Sequence, residues 1–151
     1  MRLNYDARLG ETELSAKLNV RNRMNIVING KVCTVVDDDA MLIDVVRSGG
    51  LTGTKLVCGS GVCGACTVLL DGKPVVSCLM PAKAARDRQV TTVEGIAASE
   101  LHPVQKAFIA CDALQCGFCT PGFVVEAAAF HDAWRFLRRS LLACRARPWR
   151  A

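Results

Sequence analysis

Four cysteines in the middle of the chain have the spacing of an iron–sulfur ligand set. Cys58, Cys63 and Cys66 follow the pattern C-x4-C-x2-C, and Cys78 comes after eleven intervening residues. This is the ligand spacing of plant-type [2Fe-2S] proteins. Two irons bridged by two sulfides need four thiolates held close together, which a tight loop and a neighbouring strand can supply. The spacing therefore predicts a [2Fe-2S] site formed by these four thiols.

The loop that carries the first three cysteines is rich in glycine. Gly59, Gly61 and Gly64 lie between the cysteines, where they let the backbone wrap closely, adopt positive φ and aim N–H groups at sulfur. A structural zinc site is the alternative. Zinc sites usually combine short Cys-x-x-Cys or Cys/His knuckles, and the longer step from Cys58 to Cys63 is unusual for them. The loop therefore favours iron–sulfur over zinc.

A second cysteine motif, Gln115-Cys116-Gly117-Phe118-Cys119, lies between two predicted helices. A single Cys-x-x-Cys pair is compatible with a redox dithiol, half of a zinc site or half of a second cluster. Its spacing alone does not choose among these three.

The elements around the first motif predict a small mixed sheet packed on a helix, an α+β fold. Asn29-Gly30 and Asp71-Gly72 are typical of hairpin turns. A helix over Ala40–Arg47 is expected to be capped by Asp37–Asp39 and stopped by Gly49-Gly50. The predicted strands cover Met24–Asn29, Val32–Val36, Thr67–Leu70, Pro74–Cys78 and Gln89–Val93.

The pattern becomes helical after a boundary near residues 95–101. Pro103 is expected to open one helix, with His102 as a cap or surface residue, and Thr120-Pro121 to open a second that runs to Phe130. Cys111 falls on the apolar face of the first helix and is expected to pack there. Cys33, in the second strand, is expected to be a buried small apolar residue.

Composition excludes several function classes. The net charge of +5 arises entirely in residues 131–151, which contain six arginines and one acidic residue, Asp132. Because the rest of the chain is neutral overall, a nucleic-acid partner is not predicted. No apolar run is long enough to cross a bilayer, and the first twenty residues show no secretory pattern. A cytoplasmic location is therefore expected, in which the nine cysteines stay reduced.

The two cysteine motifs together resemble those of a known family. The segments TGTKLVCGSGVCGACTVLLDGKPVVSC and HPVQKAFIACDALQCGFCTPGF resemble the small iron–sulfur subunit of the molybdenum hydroxylases, which include xanthine oxidase and the aerobic carbon monoxide dehydrogenases. The resemblance extends from about Met24 to about Trp134. It implies a ferredoxin-like β-grasp domain with one [2Fe-2S] cluster, followed by a helical-bundle domain with another.

The resemblance also implies roles and partners. Cys58, Cys63, Cys66 and Cys78 would bind the first cluster, and Cys116 and Cys119 would be two of four ligands of the second. Gln115 would lie beside molybdopterin. Electrons would pass from molybdopterin in a large subunit, through the two clusters, to FAD in a medium subunit. No substrate chemistry is expected of this chain alone.

The C-terminal part departs from the family pattern. The family completes its second cluster with a Cys-x-Cys pair about 31 residues after Cys-x-x-Cys, whereas the only later cysteine here is Cys144, with Ala146 at the partner position. The second ligand set is therefore expected to be incomplete, and a frameshift or premature end after about Arg135 is one hypothesis.

The expected organisation is a loose extension over 1–23, with Met24 as a possible true start, a ferredoxin-type domain over 24–96, a partial helical domain over 97–135 and a basic tail over 136–151. The alternatives to a subunit role are a free-standing ferredoxin and a truncated subunit with only the first cluster.

Overall fold

A computed structural model describes residues 23–37, 39–97 and 100–145, with side chains as far as residue 138. The predicted N-terminal extension and the end of the basic tail lie outside the described residues. Five strands form one mixed sheet in the order β2-β1-β5-β3-β4, in which β1 and β5 are parallel and the other neighbours antiparallel. The strands are β1 Met24–Ile28, β2 Lys31–Val35, β3 Thr67–Leu70, β4 Lys73–Val76 and β5 Gln89–Thr91.

The helices complete an α+β fold, as predicted. Helix α1 crosses one face of the sheet, and a short 3-10 helix at Ala82–Ala85 follows β4. Three more helices come after the last strand, and the third of them, α4, packs on β3 and β4. The α-helices are α1 Leu42–Ser48, α2 Val93–Ile96, α3 Pro103–Ala110 and α4 Thr120–Arg145.

The core between α1 and the sheet follows from the alternation of apolar residues in β1. Met24, Ile26 and Ile28 point inward and are at most 3% exposed, and they pack with Leu42 and Val46 of α1. Each fully buried aliphatic side chain of this size contributes about 1.5–3 kcal/mol relative to an exposed one. This core fixes α1 and the sheet, and with them the loop between α1 and β3 that carries the first cysteine motif.

Both predicted hairpin turns are confirmed. Asn29 and Gly30 have φ of 51° and 78°, and Asp71 and Gly72 have φ of 49° and 78°. Two successive positive φ values are what a type I′ turn requires, and Asn-Gly and Asp-Gly adopt them at low cost.

The predicted cap of α1 is wrong. The helix begins at Leu42, and its N-cap, Met41, makes no side-chain capping bond. Met41 instead forms a β-bridge with Pro81, which fixes where the chain turns into the helix. Of the acidic residues proposed as caps, Asp39 pairs with Lys83 at 2.9 Å.

Helix α4 continues beyond its predicted end at Phe130 and reaches Arg145. Val124, Val125 and Ala128 are at most 4% exposed, because this face of the helix lies on the sheet. Phe123 and Phe130 are 59% and 73% exposed on the other face. Helix α4 thus buries Val124 against the sheet and leaves the two phenylalanines exposed. Within the described residues, no helix is long and apolar enough to span a membrane.

We expect an acid-sensitive contribution to stability from Asp71. Its carboxylate accepts hydrogen bonds from the Arg88 side chain at 2.6 Å and from the backbone N–H of Gln89 at 2.9 Å, and these partners lower its pKa. A depressed folded pKa stabilises the fold above the unfolded pKa, and this stability is lost as pH falls through the lower folded value. Asp71→Asn, which keeps the turn, should slightly lower the melting temperature at pH 7 and leave it unchanged near pH 2. An equal drop at both values would contradict the electrostatic assignment.

Candidate metal centre

The glycine-rich loop between α1 and β3 is anchored at its start. The Arg47 guanidinium donates to the Thr54 carbonyl at 2.8 Å, and the Glu94 carboxylate accepts from the Gly53 N–H at 2.8 Å. Inside the loop, the Lys55 N–H donates to the Ala65 carbonyl at 3.2 Å and closes it on itself. The loop is thus a fixed cradle, held by α1 and α2.

The fold brings the four predicted thiols together as two interacting pairs. The N–H and the side chain of Cys63 both act on the Cys58 thiol, and Cys66 packs against Cys78 and Ile43 of α1. The Cys58 thiol is also near enough to Cys78 for its charge to raise the pKa of Cys78. The first pair is exposed and the second is buried, at 2% and 6% exposure for Cys66 and Cys78.

Backbone N–H groups point at sulfur, as the glycine pattern predicted. The Ser60 N–H donates to the Cys58 sulfur at 3.4 Å, in a stretch where Gly59 and Gly61 have φ of 65° and 76°. The Ser60 hydroxyl, the Cys63 N–H and the Ser60 N–H, in that order, lower the pKa of Cys58 to about 5. A thiolate that is stabilised in this way is a ready metal ligand.

The buried pair is held by a residue that belongs to no recognisable sequence motif. Ser77 is fully buried, and both its hydroxyl, at 2.7 Å, and its N–H, at 3.3 Å, donate to the Cys66 carbonyl. The Ser77 carbonyl in turn accepts from Ile43 of α1 at 3.2 Å. Burial and the neighbouring Cys66 thiol raise the pKa of Cys78. A metal that bound here would displace that proton.

These observations fit a [2Fe-2S] cluster at the first motif. The donor set is four thiols, grouped two and two, as two bridged irons with two thiolates each require. The N–H groups that face Cys58 and Cys78, from Ser60, Cys63 and Gly61, suit the negative charge of cluster sulfur. Within the described residues, these thiols do not form a group of three or more ligand atoms within 4.8 Å of one another, which a single tetrahedral zinc would require.

The second motif does not provide a comparable set. Cys116 and Cys119 are exposed and line an open cavity of about 450 Å³, which Gln115 also borders. Cys144 lies on α4, and 24 residues of continuous helix after Thr120 place it roughly 36 Å further along the axis. Its position along the helix is thus far from the cavity, and a four-thiol cluster site does not fit the described residues of this region.

The two remaining cysteines differ from their predicted environments. Cys33 is half-buried at the margin of the core rather than fully buried. Cys111 is exposed, so the prediction that it packs on the apolar face is wrong. The reason is that α3 ends at Ala110 and Cys111 is its C-cap.

His102, His131 and Asp132 meet between α3 and α4 in an arrangement that could hold a metal ion. The Asp132 carboxylate lies 3.2 Å from His102 Nε2 and 3.1 Å from His131 Nδ1. However, His102 Nδ1 accepts the Val104 N–H in a capping box at the start of α3. A neutral imidazole that accepts at Nδ1 carries its proton on Nε2 and has no lone pair there for a metal. The predicted cap role of His102 is confirmed, and the cluster ties α3 to α4.

The β-grasp sheet, with three thiols in a glycine-rich loop and a fourth after β4, defines a ferredoxin-type iron–sulfur protein. Two sequence families match the chain: a 2Fe-2S iron-sulfur cluster binding domain over residues 26–91 and a [2Fe-2S] binding domain over residues 92–140. The chain belongs to the family of small [2Fe-2S] subunits of the molybdenum hydroxylases, which confirms the resemblance seen in its motifs.

Individual relatives show the extent of the match. The nicotine 6-hydroxylase small subunit of Paenarthrobacter nicotinovorans is 45% identical over 75% of this chain and 70% of its own length. The aldehyde oxidoreductase of Megalodesulfovibrio gigas is 48% identical over 71% of this chain, but the match spans only 12% of that protein. The crystal structure of quinoline 2-oxidoreductase from Pseudomonas putida 86 matches with a TM-score of 0.65 and 43% identity, over 72% of this chain and 68% of that one.

Proposed function

We propose that this chain is the electron-transfer subunit of a multi-subunit molybdenum hydroxylase. It would accept electrons that originate at a molybdopterin site in a large subunit and pass them toward FAD in a medium subunit. The observation that carries the proposal is that Cys58 and Cys63 lie together in an N–H-lined loop, while Cys66, at the end of that loop, packs against Cys78 after β4. Each pair would hold one iron of a [2Fe-2S] cluster.

The chain's own residues have clear tasks in that role. A bound [2Fe-2S] cluster supplies reversible one-electron chemistry. The four thiolates fix its position, and the N–H groups of Ser60 and Gly61 stabilise negative charge on the sulfurs they face. Ser77 and Arg47 keep the cradle rigid, so that little reorganisation accompanies a change in charge.

The surface beside the exposed thiol pair supports association with other subunits. Val62 is 85% exposed, and Leu56, Val57 and Leu79 are each about half exposed on the same motif. An apolar surface next to a redox centre suits docking of a partner that exchanges electrons with it. Gln115, next to Cys116 at the open cavity, remains a proposed neighbour of molybdopterin.

We propose the same domain boundaries as the sequence predicts, with the ferredoxin-type domain over 24–96, the helical domain over 97–135 and the tail from 136. A cytoplasmic location is proposed because the loop requires reduced thiols. Cys116 and Cys119 are proposed as an incomplete second ligand pair. A free-standing ferredoxin is less consistent with α3 and α4, which such a carrier does not need.

The test is anaerobic purification of the chain, followed by measurement of iron, acid-labile sulfide and the EPR spectrum after reduction. The proposal predicts equal amounts of iron and sulfide and a rhombic signal from the reduced cluster. Co-expression with molybdopterin- and FAD-binding subunits of a molybdenum hydroxylase should yield a complex. A colourless protein that contains zinc would overturn the proposal.

A further inference from the structure

Gly122, in the first turn of α4, lies in backbone contact with the cluster loop. A β-carbon at this position would lie 2.2 Å from the Gly64 carbonyl oxygen and 2.9 Å from the Ala65 Cα. Both atoms belong to the backbone and cannot swing away. Only glycine therefore allows α4 to approach this closely, and the contact is with the residue directly after Cys63.

A second contact holds the same two segments together. The Lys55 ammonium lies 5.6 Å from the centre of the Phe118 ring, in the second cysteine motif, which is within the range of a cation–π interaction. Cys63, Gly122 and Phe123 also line one small cavity of about 220 Å³. The start of α4 is thus fixed against the side of the loop that carries Cys63.

The start of this helix carries positive electrostatic potential. α4 has 26 residues and no acidic side chain in its first turn, and Glu126, in the next turn, is the acidic residue that borders the shared cavity. The N–H groups at such an end act like roughly half a positive charge, and the effect is strongest within the first turn. Reduction of a [2Fe-2S] cluster by one electron adds one negative charge next to this end.

We propose that Gly122 is a positioning residue that seats the positive end of α4 against the cluster loop and thereby raises the reduction potential of the first cluster. The inference rests on the proposed function, in which Cys58, Cys63, Cys66 and Cys78 hold that cluster. The electron enters the cluster from its redox partner, and the helix end stabilises the reduced form more than the oxidised form.

The first test is Gly122→Ala, studied by EPR-monitored redox titration of the purified chain with dithionite and mediators. The added methyl group forces α4 away from the loop, so we expect a more negative midpoint potential with unchanged iron content. Gly72→Ala is the control. Gly72 has φ of 78° in the turn between β3 and β4, so a side chain there is strained without contact to the cluster loop. It should lower thermal stability without shifting the potential.

A second pair of variants keeps the test valid if Gly122→Ala does not fold. Thr120→Asp places a negative charge in the first turn, where it favours the helix, and should shift the potential negatively. The neutral Thr120→Asn should not. In the Gly122→Ala background the effect of Thr120→Asp should shrink, because the helix end is further away.

The outcomes separate the two proposals. Wild-type chain without iron and sulfide would overturn the proposed function and this inference with it. A wild-type cluster whose potential is the same in Gly122→Ala and Thr120→Asp, or shifts positively, would overturn the inference and leave the proposed function intact.

Discussion

Cys66→Ala is expected to lower the iron content from about two ions per chain to near zero and to abolish the EPR signal of the reduced protein. Cys66 is 2% exposed and its thiol contacts that of Cys78. With its thiolate removed, one iron keeps a single protein ligand, and burial prevents solvent or a free thiol from replacing the missing one. The measurement is iron and acid-labile sulfide per chain after anaerobic purification.

Cys33→Ala and Cys111→Ala are the matched controls for this loss. Cys33 lies at the margin of the core and Cys111 is the exposed C-cap of α3, away from the paired thiols. Both variants should keep the iron and the EPR signal of the wild type. If either loses its iron as completely as Cys66→Ala, the assignment of the four ligands is wrong. Circular dichroism would establish that Cys66→Ala still folds.

The proposed first site follows from the sequence because three of its four proposed ligands are local. Cys58, Cys63 and Cys66 lie within nine residues, so their spacing nearly determines which cluster they can hold. The turns at Asn29-Gly30 and Asp71-Gly72 were predictable for the same reason, since each needs only the φ preferences of two adjacent residues. The strands they join follow from alternation over four or five positions.

Features that depend on distant partners were not predictable. The sequence places three acidic residues before α1, yet a bridge between Met41 and Pro81 sets the start of the helix. Val124 would be exposed on an isolated α4. It is buried only because the sheet covers it. Ser77 carries no motif, and its role depends on the approach of Cys66 and α1 from elsewhere in the chain.

The pairing of the thiols and the contact at Gly122 are harder still to predict from the sequence. Spacing predicts four ligands but not which of them would share an iron, since that depends on the register of the loop against β4. Gly122 stands in the sequence as one glycine after a proline. The importance of Gly122 becomes clear only from the fold, in which the Gly64 carbonyl occupies the place that a β-carbon on residue 122 would need.

The chain purified alone is expected to bind about two irons and not about four, with a single rhombic EPR signal. The second motif offers Cys116 and Cys119, both exposed, and the helix that follows carries Cys144 roughly 36 Å away. Two thiolates at an open surface cannot hold a cluster against solvent. A double variant, Cys116→Ser with Cys119→Ser, should therefore keep the iron content, the sulfide content and the EPR signal of the wild type.

The same double variant separates this expectation from its alternatives. A fall of about half in iron content, with loss of one of two EPR signals, would show that a second cluster forms with ligands other than Cys144. Repeating the measurement on a complex with the partner subunits tests whether they supply the missing donors. If the complex also holds a single cluster in this chain, electrons from molybdopterin must cross the helical domain without an intermediate carrier. Because tunnelling slows steeply with distance, internal electron transfer should then limit turnover, and the reduced molybdenum centre should accumulate in the steady state.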